Sequence, residues 1–590
     1  MQEFRRTVYC GQVTEEKLEK EVYLCGWVQK IRDHGDLVFI DLRDRSGIVQ
    51  LVFSPQINEQ TLEIAREIKP ESVISIKGIV EKRSEEATNE NLVTGKVEVK
   101  VADCLVLNQS ATLPFQLEEA DNVEEELRLK YRYLDLRRKR MSDILKLRND
   151  IVFATREYLN KEDFYEIETP ILSKSTPEGA RDFLVPSRLS PGCFYALPQS
   201  PQIYKQLLMA SGVEKYFQIT RCFRDEDFRA NRQPEFTQID LEMSFVKEED
   251  IKKVTENIIQ TAWEKAGKTL ETPLPSMTYE KAFSSYGTDK PDLRFGLKIV
   301  DTTNLFENTD IKFLQSIIKQ EGKIGSILVK EKNFSRTELD KWVTFATDRL
   351  KAKGLLYIKF GEDGKIDSPI SKLLPKDFLS QVQKIHPNAK INSTLFLVAG
   401  NYKPSWAILG KLRLELGKSL NLLDNNKFAF TWVTDFPLFE WGAEDKRWYA
   451  IHHPFTQPAD DIETTKLDQV KSKAYDIVCN GEELGGGSIR IYDPKLQAKI
   501  FDILGISPKE AKEKFGFLLE AQNLGFPPHG GLALGLDRII MMLAKTDSIR
   551  DVIAFPKTTS GVCPMMQTPS PVDEKQLKDL YIKITYKPKK

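Results

Sequence analysis

The sequence predicts a multidomain α+β protein, with a small β-barrel at the N-terminus and a larger domain of mixed helices and strands interrupted by an inserted α+β module. Three observations carry this. The chain has 590 residues, enough for roughly four folding units at about 150 residues each. Its first hundred or so residues read as short strands separated by turn chemistry, and between residues 288 and 422 the texture turns lysine-rich and glycine-broken. Hydrophobic residues make up 41% of the chain and charged residues 29%, so each unit can bury a core and a disordered chain is excluded.

The barrel comes first, within residues 1–108. VYLCGWV (22–28), LVFIDLR (37–43) and IVQLVF (48–53) read as strands, separated by turns at 33–36 and 44–47. A helix is expected over 58–69, ending at Pro70, followed by strands VISIKGIV (73–80) and VEVKVADCLVL (97–107). Three strands, a helix and two strands is the order of a five-stranded OB barrel, and any small β-barrel or sandwich also fits it. Residues 109–140 read as a hinge helix. Glu118, Glu119, Asp121 and Glu124 to Glu126 give way there to Arg137, Arg138, Lys139 and Arg140, the acid-first, base-last order of a solvated helix face. From 141 to 287, helical segments alternate with strands such as YFQITRCF (216–223) and FTQIDLEMSF (236–245). The inserted module follows at 288–422. FAFTWVTDFPLFEW (428–441) then resumes core-like text in a segment over 423–556, and 557–590 is a C-terminal extension.

Composition narrows the function classes. The formal charge is 86 − 87 = −1, so any contact with RNA must come from local patches and stacking. No apolar run approaches the ~18 residues of a membrane span, and the opening MQEFRRTVYCGQ is too polar for a secretory signal. Seven cysteines, scattered and without a CxxC pair, fit reduced thiols and speak against a zinc ribbon or a disulfide frame. A cytoplasmic protein with no membrane partner is the expectation.

Four segments hold polar residues inside apolar strand text, where burial without a partner is costly. Phe223-Arg224-Asp225-Glu226 closes one strand, and alternation puts Gln238, Asp240 and Glu242 on one face of the next. Gly485-Gly486-Gly487-Ser488-Ile489-Arg490 follows Glu482-Glu483. His452-His453-Pro454-Phe455-Thr456 holds two of the five histidines, and Gly531 to Arg538 runs into an apolar helix. Singly, each has a plainer reading. The glycine run could be a flexible loop, the adjacent histidines lack the spacing of a helical metal pair, and Arg538 could be a surface ion pair.

Together, their order resembles the three signature motifs of the class II aminoacyl-tRNA synthetases. Phe164-Tyr165-Glu166-Ile167-Glu168-Thr169-Pro170 is similar to motif 1, the segment from 223 to Phe236 to motif 2, and Gly531–Arg538 to motif 3. Within the class, Thr176-Pro177-Glu178-Gly179-Ala180-Arg181-Asp182, Gln199-Ser200-Pro201-Gln202-Ile203-Tyr204-Lys205-Gln206 and the His-His-Pro-Phe-Thr run resemble the bacterial aspartyl-tRNA synthetases. The resemblance spans essentially the whole chain. It implies an N-terminal OB-fold anticodon domain and an antiparallel-sheet catalytic domain split by the inserted module.

The resemblance also implies an activity and its residues. Aspartate and ATP would form aspartyl-adenylate, and the aspartyl group would pass to the 3′ end of tRNA(Asp). Arg224, Glu226 and Arg538 are the implied catalytic residues. Glu178, Gln202, Lys205, Arg224, Asp240, His452 and Arg490 would bind aspartate, a planar anion that a bidentate arginine reads well. Arg224, Asp225, Glu226, Gln233, Phe236, Glu483 and Gly535, Leu536, Asp537 and Arg538 would bind ATP, with Phe236 and Arg538 on opposite faces of adenine. Asp476 and Glu483 would hold Mg²⁺. Arg32, His34, Phe39 and Gln50 would contact the anticodon. Alternation groups Phe39 with Leu37, so the sequence alone does not decide between base stacking and core packing. A homodimer is implied as well.

One departure bears on tRNA choice. His34 stands where strict relatives carry leucine and relaxed ones, which also charge tRNA(Asn), carry histidine. At the second such position, where glycine would be wanted, Ser84-Glu85-Glu86 stands instead. Charging of tRNA(Asn) would imply an amidotransferase partner. The competing readings are an asparaginyl- or lysyl-tRNA synthetase, against which the insertion and the Thr176–Asp182 run argue, and a tRNA-binding protein of the same fold without chemistry.

Overall fold

A computed structural model describes residues 5–176, 180–226, 231–332, 334–361 and 365–586. Its contacts divide into two compact units that meet between Ser142 and Asp143.

In the first unit, β1 (Glu21–Asp33), β2 (Val38–Asp44), β3 (Gly47–Phe53), α1 (Pro55–Glu67), β4 (Val73–Lys82) and β5 (Val97–Asn108) follow the expected order. The strands close into a barrel in the sequence β1-β2-β3-β5-β4. Strict alternation in β2 sends Val38, Ile40 and Leu42 into the core, so Phe39 and Asp41 face outward. Ser54 caps α1 by accepting from the Gln56 N–H at 3.2 Å, with Pro55 at the first helical position.

The stretch read as one solvated hinge helix is broken and partly buried. A 3₁₀ segment at Leu117–Asn122 precedes short helices at Glu125–Lys130 and Arg132–Asp135, and the basic run opens the 23-residue helix α2 (Lys139–Lys161). The reason is Asp135. Fully buried, it pairs with Arg132 at 2.6 Å and Arg138 at 2.8 Å and draws those two arginines inward, while Glu118, Glu119, Asp121, Glu124, Glu126, Lys139 and Arg140 stay exposed.

The second unit is built on an eight-stranded sheet. Its elements, in chain order, are β6 (Tyr165–Glu166), α3 (Gln202–Ala210), β7 (Lys215–Phe223), β8 (Glu235–Ser244), α4 (Glu248–Lys265), β9 (Ser276–Thr278) and α5 (Tyr279–Tyr286). A separate sheet then intervenes, made of β10 (Ile299–Asp301), β11 (Lys323–Val329), β12 (Leu356–Phe360), β13 (Ile366–Asp367) and β14 (Ser393–Gly400), followed by α6 (Tyr402–Ser419). The main sheet resumes with β15 (Phe430–Thr434), β16 (Ala474–Cys479), β17 (Glu482–Ile489) and β18 (His529–Gly535), which runs into α7 (Leu536–Leu543).

The main sheet is ordered β9-β15-β16-β17-β18-β8-β7-β6. Its six central strands pair antiparallel, and only the two edge pairs are parallel. One face packs on α2, α4 and α7 through Ile151, Ile258, Trp263 and Ile540. Polar residues on the opposite face are left to line a cavity. Among the described residues, no helix is long and apolar enough to cross a membrane.

Candidate active site

The cavity, about 560 Å³, lies on the strands β8, β16, β17 and β18 and is lined by residues from each of the polar segments singled out above. Its floor is the glycine run. Residues 485–487 are not a loop but the middle of β17, paired with β16 and β18. A Cβ on Gly486 would stand 2.3 Å from Asp476 Oδ1. Glycine there leaves room beside a carboxylate that any larger residue would crowd.

At one end two buried cations face two buried carboxylates. Arg490 donates from Nε to Glu242 Oε1 at 2.9 Å and from Nη2 to Oε2 at 3.2 Å, and its Nη1 donates to Ser488 Oγ at 2.7 Å. Lys205, on α3, donates to Asp240 Oδ1 at 2.8 Å and lies 3.2 Å from Glu242 Oε2. None of the four is more than 2% exposed. Burial pushes the Glu242 carboxyl up, but Arg490 and Lys205 outweigh it and hold the group below the ordinary range. Burial wins at Asp240, whose carboxyl rises. Fixed in this way, Arg490 and Lys205 have little freedom to lose when an anion arrives.

Of the fifteen buried side-chain polar atoms without a hydrogen-bond partner among the described residues, four belong to the cavity: Gln202 Nε2, Arg224 Nε, Asp240 Oδ2 and His452 Nε2. All four residues line this cavity. Four unpartnered polar atoms on one cavity suit a polar ligand that would supply the missing hydrogen bonds. Burial drives the His452 imidazole down to about 4, so the ring is neutral, edge-on to Phe436 with centroids 4.7 Å apart.

The cavity also holds a second pair of acids. Asp476 and Glu483 stand on paired strands, and burial, then Glu483 and Asp289, push the Asp476 carboxyl well up. Among the described residues, no three His, Cys, Asp or Glu side chains converge as a metal-ligand set. Two crowded carboxylates beside the gap at Gly486 nevertheless suit Mg²⁺, which takes one or two carboxylates and completes its shell with water and phosphate oxygens.

The sequence candidates divide by what their side chains do. Gln202, Lys205, Arg224, Glu226, Gln233, Phe236, Asp240, His452, Asp476, Glu483, Arg490, Gly535, Asp537 and Arg538 all line the cavity. Several are already engaged. Glu226 pairs with Arg232 at 2.8 Å, and the Gln233 amide donates to the Lys557 carbonyl at 3.0 Å and accepts its N–H at 2.8 Å. Asp537 Oδ2 accepts from the Thr237 N–H at 2.8 Å. The Arg224 guanidinium rests 5.2 Å from the Phe236 ring centre, and Arg538 donates to the Glu483 carbonyl at 2.7 Å. Asp225 turns to Arg181 at 3.5 Å, and Leu536 is buried in the core, which leaves only its backbone to meet a ligand. Glu178 lies outside the described residues.

Other residues that line or support the cavity escaped the sequence reading as site residues, among them Glu242, Ser488, Asp289 and His453, whose Nε2 lies 2.7 Å from Arg490 Nη1. Glu242 and Ser488 fix Arg490, and the strand alternation that singled out Asp240 also marked Glu242. Asp289, which lines the cavity, carried no such signal.

The barrel gathers the other candidates on its outer face. Arg32 makes a two-pronged pair with Asp41 (2.8 and 2.7 Å) and donates to Gln50 Oε1 at 3.1 Å, while Gln50 donates to Glu98 at 3.0 Å. Phe39 is paired with Arg32 across the strands and meets the exposed His34 ring edge-on at 5.7 Å. An outward aromatic flanked by fixed polar groups is the arrangement that reads single-stranded bases.

Comparisons with known proteins agree with both descriptions. Residues 124–559 match a family model described as tRNA synthetases class II (D, K and N), and residues 22–107 one described as OB-fold nucleic acid binding domain. The chain is 50% identical over 600 aligned residues to the aspartate–tRNA(Asp/Asn) ligase of Aquifex aeolicus, covering 99% of each chain. It is 49% identical over 585 residues to the aspartate–tRNA ligase of Macrococcus caseolyticus, covering 98% of each. Among solved structures, asparaginyl-tRNA synthetase from Pyrococcus horikoshii in complex with asparaginyl-adenylate shares the fold, with a TM-score of 0.58 at 22% identity over 93% of this chain and 98% of that one.

Proposed function

The chain belongs to the class II tRNA synthetases (D, K and N), and from that premise we propose how its cavity works. The enzyme is an ATP-dependent aspartate–tRNA ligase. The observation that carries our account of the site is the pair of buried cations, Arg490 and Lys205, locked by Glu242 and Asp240 beside four unpartnered polar atoms.

In this account the substrate's side-chain carboxylate meets Arg490 and Lys205. Asparagine would leave those cations facing a neutral amide, at a cost of several kcal/mol. Gln202, Asp240 and His452 surround the rest of the amino acid, and Glu178 is assigned with them to aspartate binding on the resemblance alone. Arg224 holds the reacting carboxylate against the α-phosphate, and Phe236 and Arg538 sandwich the adenine. Glu226, Gln233 and Asp537, with the backbone of Asp225, Gly535 and Leu536, frame the nucleotide. Asp476 and Glu483 would hold Mg²⁺, which when bound neutralises phosphate charge. A carboxylate oxygen attacks the α-phosphorus, pyrophosphate leaves, and the tRNA 3′-hydroxyl then attacks the carbonyl and releases AMP. Positioning and fixed charge carry both steps.

We assign residues 1–108 to anticodon binding through Arg32, His34, Phe39 and Gln50, with 109–140 as hinge. Residues 141–287 and 423–556 form the catalytic domain, 288–422 the insertion and 557–590 an extension. A homodimer is supported by the exposed apolar side chains of Phe153, Tyr165, Ile171 and Leu172 around the first motif. Seven free thiols support a cytoplasmic setting. His34 supports charging of tRNA(Asn) as well, and with it an amidotransferase partner.

ATP–pyrophosphate exchange with Arg490→Leu tests the site. Loss of aspartate-dependent exchange with ATP still bound is expected, and unchanged exchange would overturn the assignment. Side-by-side charging of tRNA(Asp) and tRNA(Asn) transcripts with labelled aspartate tests the tRNA choice. Charging of tRNA(Asp) alone would rule out the second acceptor.

A further inference from the structure

The inserted module reaches the cavity through one strap, residues 288–298. Helix α5 ends at Gly287, whose φ of 67° is left-handed. A Cβ there would stand 2.0 Å from the Trp406 carbonyl oxygen, and a Cβ on Gly410 would stand 2.6 Å from that of Tyr286. The start of the strap and helix α6 of the module therefore run backbone against backbone.

Arg413, on α6 and 1% exposed, is turned wholly onto the strap. Its Nη2 donates to the carbonyls of Asp292 (2.8 Å), Phe295 (2.9 Å) and Gly296 (2.9 Å), and its Nε donates to that of Leu297 (3.0 Å). The guanidinium carbon lies 4.0 Å from the Phe295 ring centre and 4.9 Å from that of Tyr286. A single planar group thus fixes four carbonyls of one short segment, something lysine's point charge cannot reproduce.

The strap's far side touches the catalytic strands. Asp292 Cβ lies 3.3 Å from where a Cβ on Gly481 would stand, in the turn that joins β16 to β17. Those two strands carry Asp476 and Glu483. Between Gly287 and Asp292, the strap places Asp289 on the cavity wall. Thr288 Oγ1 donates to Asp289 Oδ1 at 3.2 Å, and Asp289 shares the cavity lining with Asp476 and His452. The cavity accordingly carries charge of both signs, with Lys205, Arg224, Arg490 and Arg538 lining it along with Asp289, Asp476 and Glu483. The substrates carry both signs as well. Carboxylates and phosphates suit the basic groups, and the acidic groups suit a cation.

We propose that Asp289 is a further binding residue of this cavity, receiving the cationic part of the substrates, and that Arg413 of the inserted module is the positioning residue that holds it there. The cation is either the α-ammonium of the amino acid or the divalent ion that accompanies ATP. The proposal rests on reading the cavity as the amino-acid-activating site.

The test uses the full-length enzyme in ATP–pyrophosphate exchange, titrating aspartate and Mg²⁺ separately, for Asp289→Asn, Arg413→Met and the double variant. Asp289→Asn is expected to raise by about tenfold either the KM for aspartate (the ammonium) or the half-saturating Mg²⁺ (the metal), the size of one charged hydrogen bond. The rise in Tm on adding aspartate alone, or Mg²⁺ with a non-hydrolysable ATP analogue, should shrink for the same ligand. Arg413→Met should shift the same parameter in the same direction, and the double variant should be no worse than Asp289→Asn. That non-additivity separates positioning from general loosening of the fold. Asp289→Asn with both parameters unchanged would overturn the proposal, even if Arg413→Met fails to fold. An Arg413→Met effect on kcat alone, additive with Asp289→Asn, would overturn the positioning role. Arg490→Leu run in parallel distinguishes the two readings, because activity surviving that change would remove the site assignment itself.

Discussion

Glu242 shows how a side chain two bonds removed from any ligand governs what a site can bind. Two cations with 2% exposure or less are tolerable only because Glu242 and Asp240 face them. Glu242→Gln would leave one positive charge uncompensated and set an amide N–H₂ toward a guanidinium. A loss of about 3–5 kcal/mol in stability is expected, measurable by chemical denaturation, with a matching fall in aspartate activation. Gly486 makes the same point from the opposite direction. A Cβ there needs the space of Asp476 Oδ1, 2.3 Å away, so Gly486→Ala should cut kcat/KM in pyrophosphate exchange about 100-fold by displacing that carboxylate. The acids at 240 and 242 were legible in the sequence because alternating acids in apolar strand text demand buried partners. The tie between Gln233 and Lys557, 324 residues apart, was not, since no local pattern encodes a contact at that separation.

Elements were legible where burial has a period. Alternation fixed β2, and closure of the barrel decided what the sequence left open, turning Phe39 outward with Arg32 and Asp41. Phe39→Ala should therefore raise the KM for tRNA about tenfold, the value of one stacked base, with pyrophosphate exchange as the control that confines the loss to the tRNA step. The hinge misled because its charge order suits a solvated helix, whereas Asp135 draws its arginines inward. In the inserted module, His386 follows a helix at Phe378–Ile385, is buried, and has its Nε2 2.8 Å from Ser326 Oγ of β11. Burial lowers the imidazole from 6.5 to about 4, so the fold holds the neutral ring. Its contribution to stability is complete above about pH 6.5 and is lost as pH falls toward 4. Thermal unfolding should show a falling Tm over that window, and His386→Asn, which cannot titrate, should flatten the slope.

At the scale of the whole molecule, the proposed function assigns recognition of tRNA to the first unit and chemistry to the second. Nothing in a net charge of −1 draws RNA to the protein at large, so the proposed account leaves tRNA choice to local contacts on the barrel face and amino-acid choice to Arg490 and Lys205. The two choices are then separately mutable. His34 is exposed and meets Phe39 edge-on, beside the ring assigned to base stacking, and an imidazole there offers a hydrogen bond that a leucine cannot. His34→Leu removes that polar contact and keeps an apolar neighbour for Phe39. Charging of tRNA(Asn) should fall by about tenfold, one hydrogen bond to a base edge, with charging of tRNA(Asp) retained and pyrophosphate exchange unmoved. Parallel aminoacylation of the two transcripts by the wild-type and variant enzymes measures this directly. An equal fall for both tRNAs would make His34 a support for the stacking ring rather than the residue that widens the choice of tRNA.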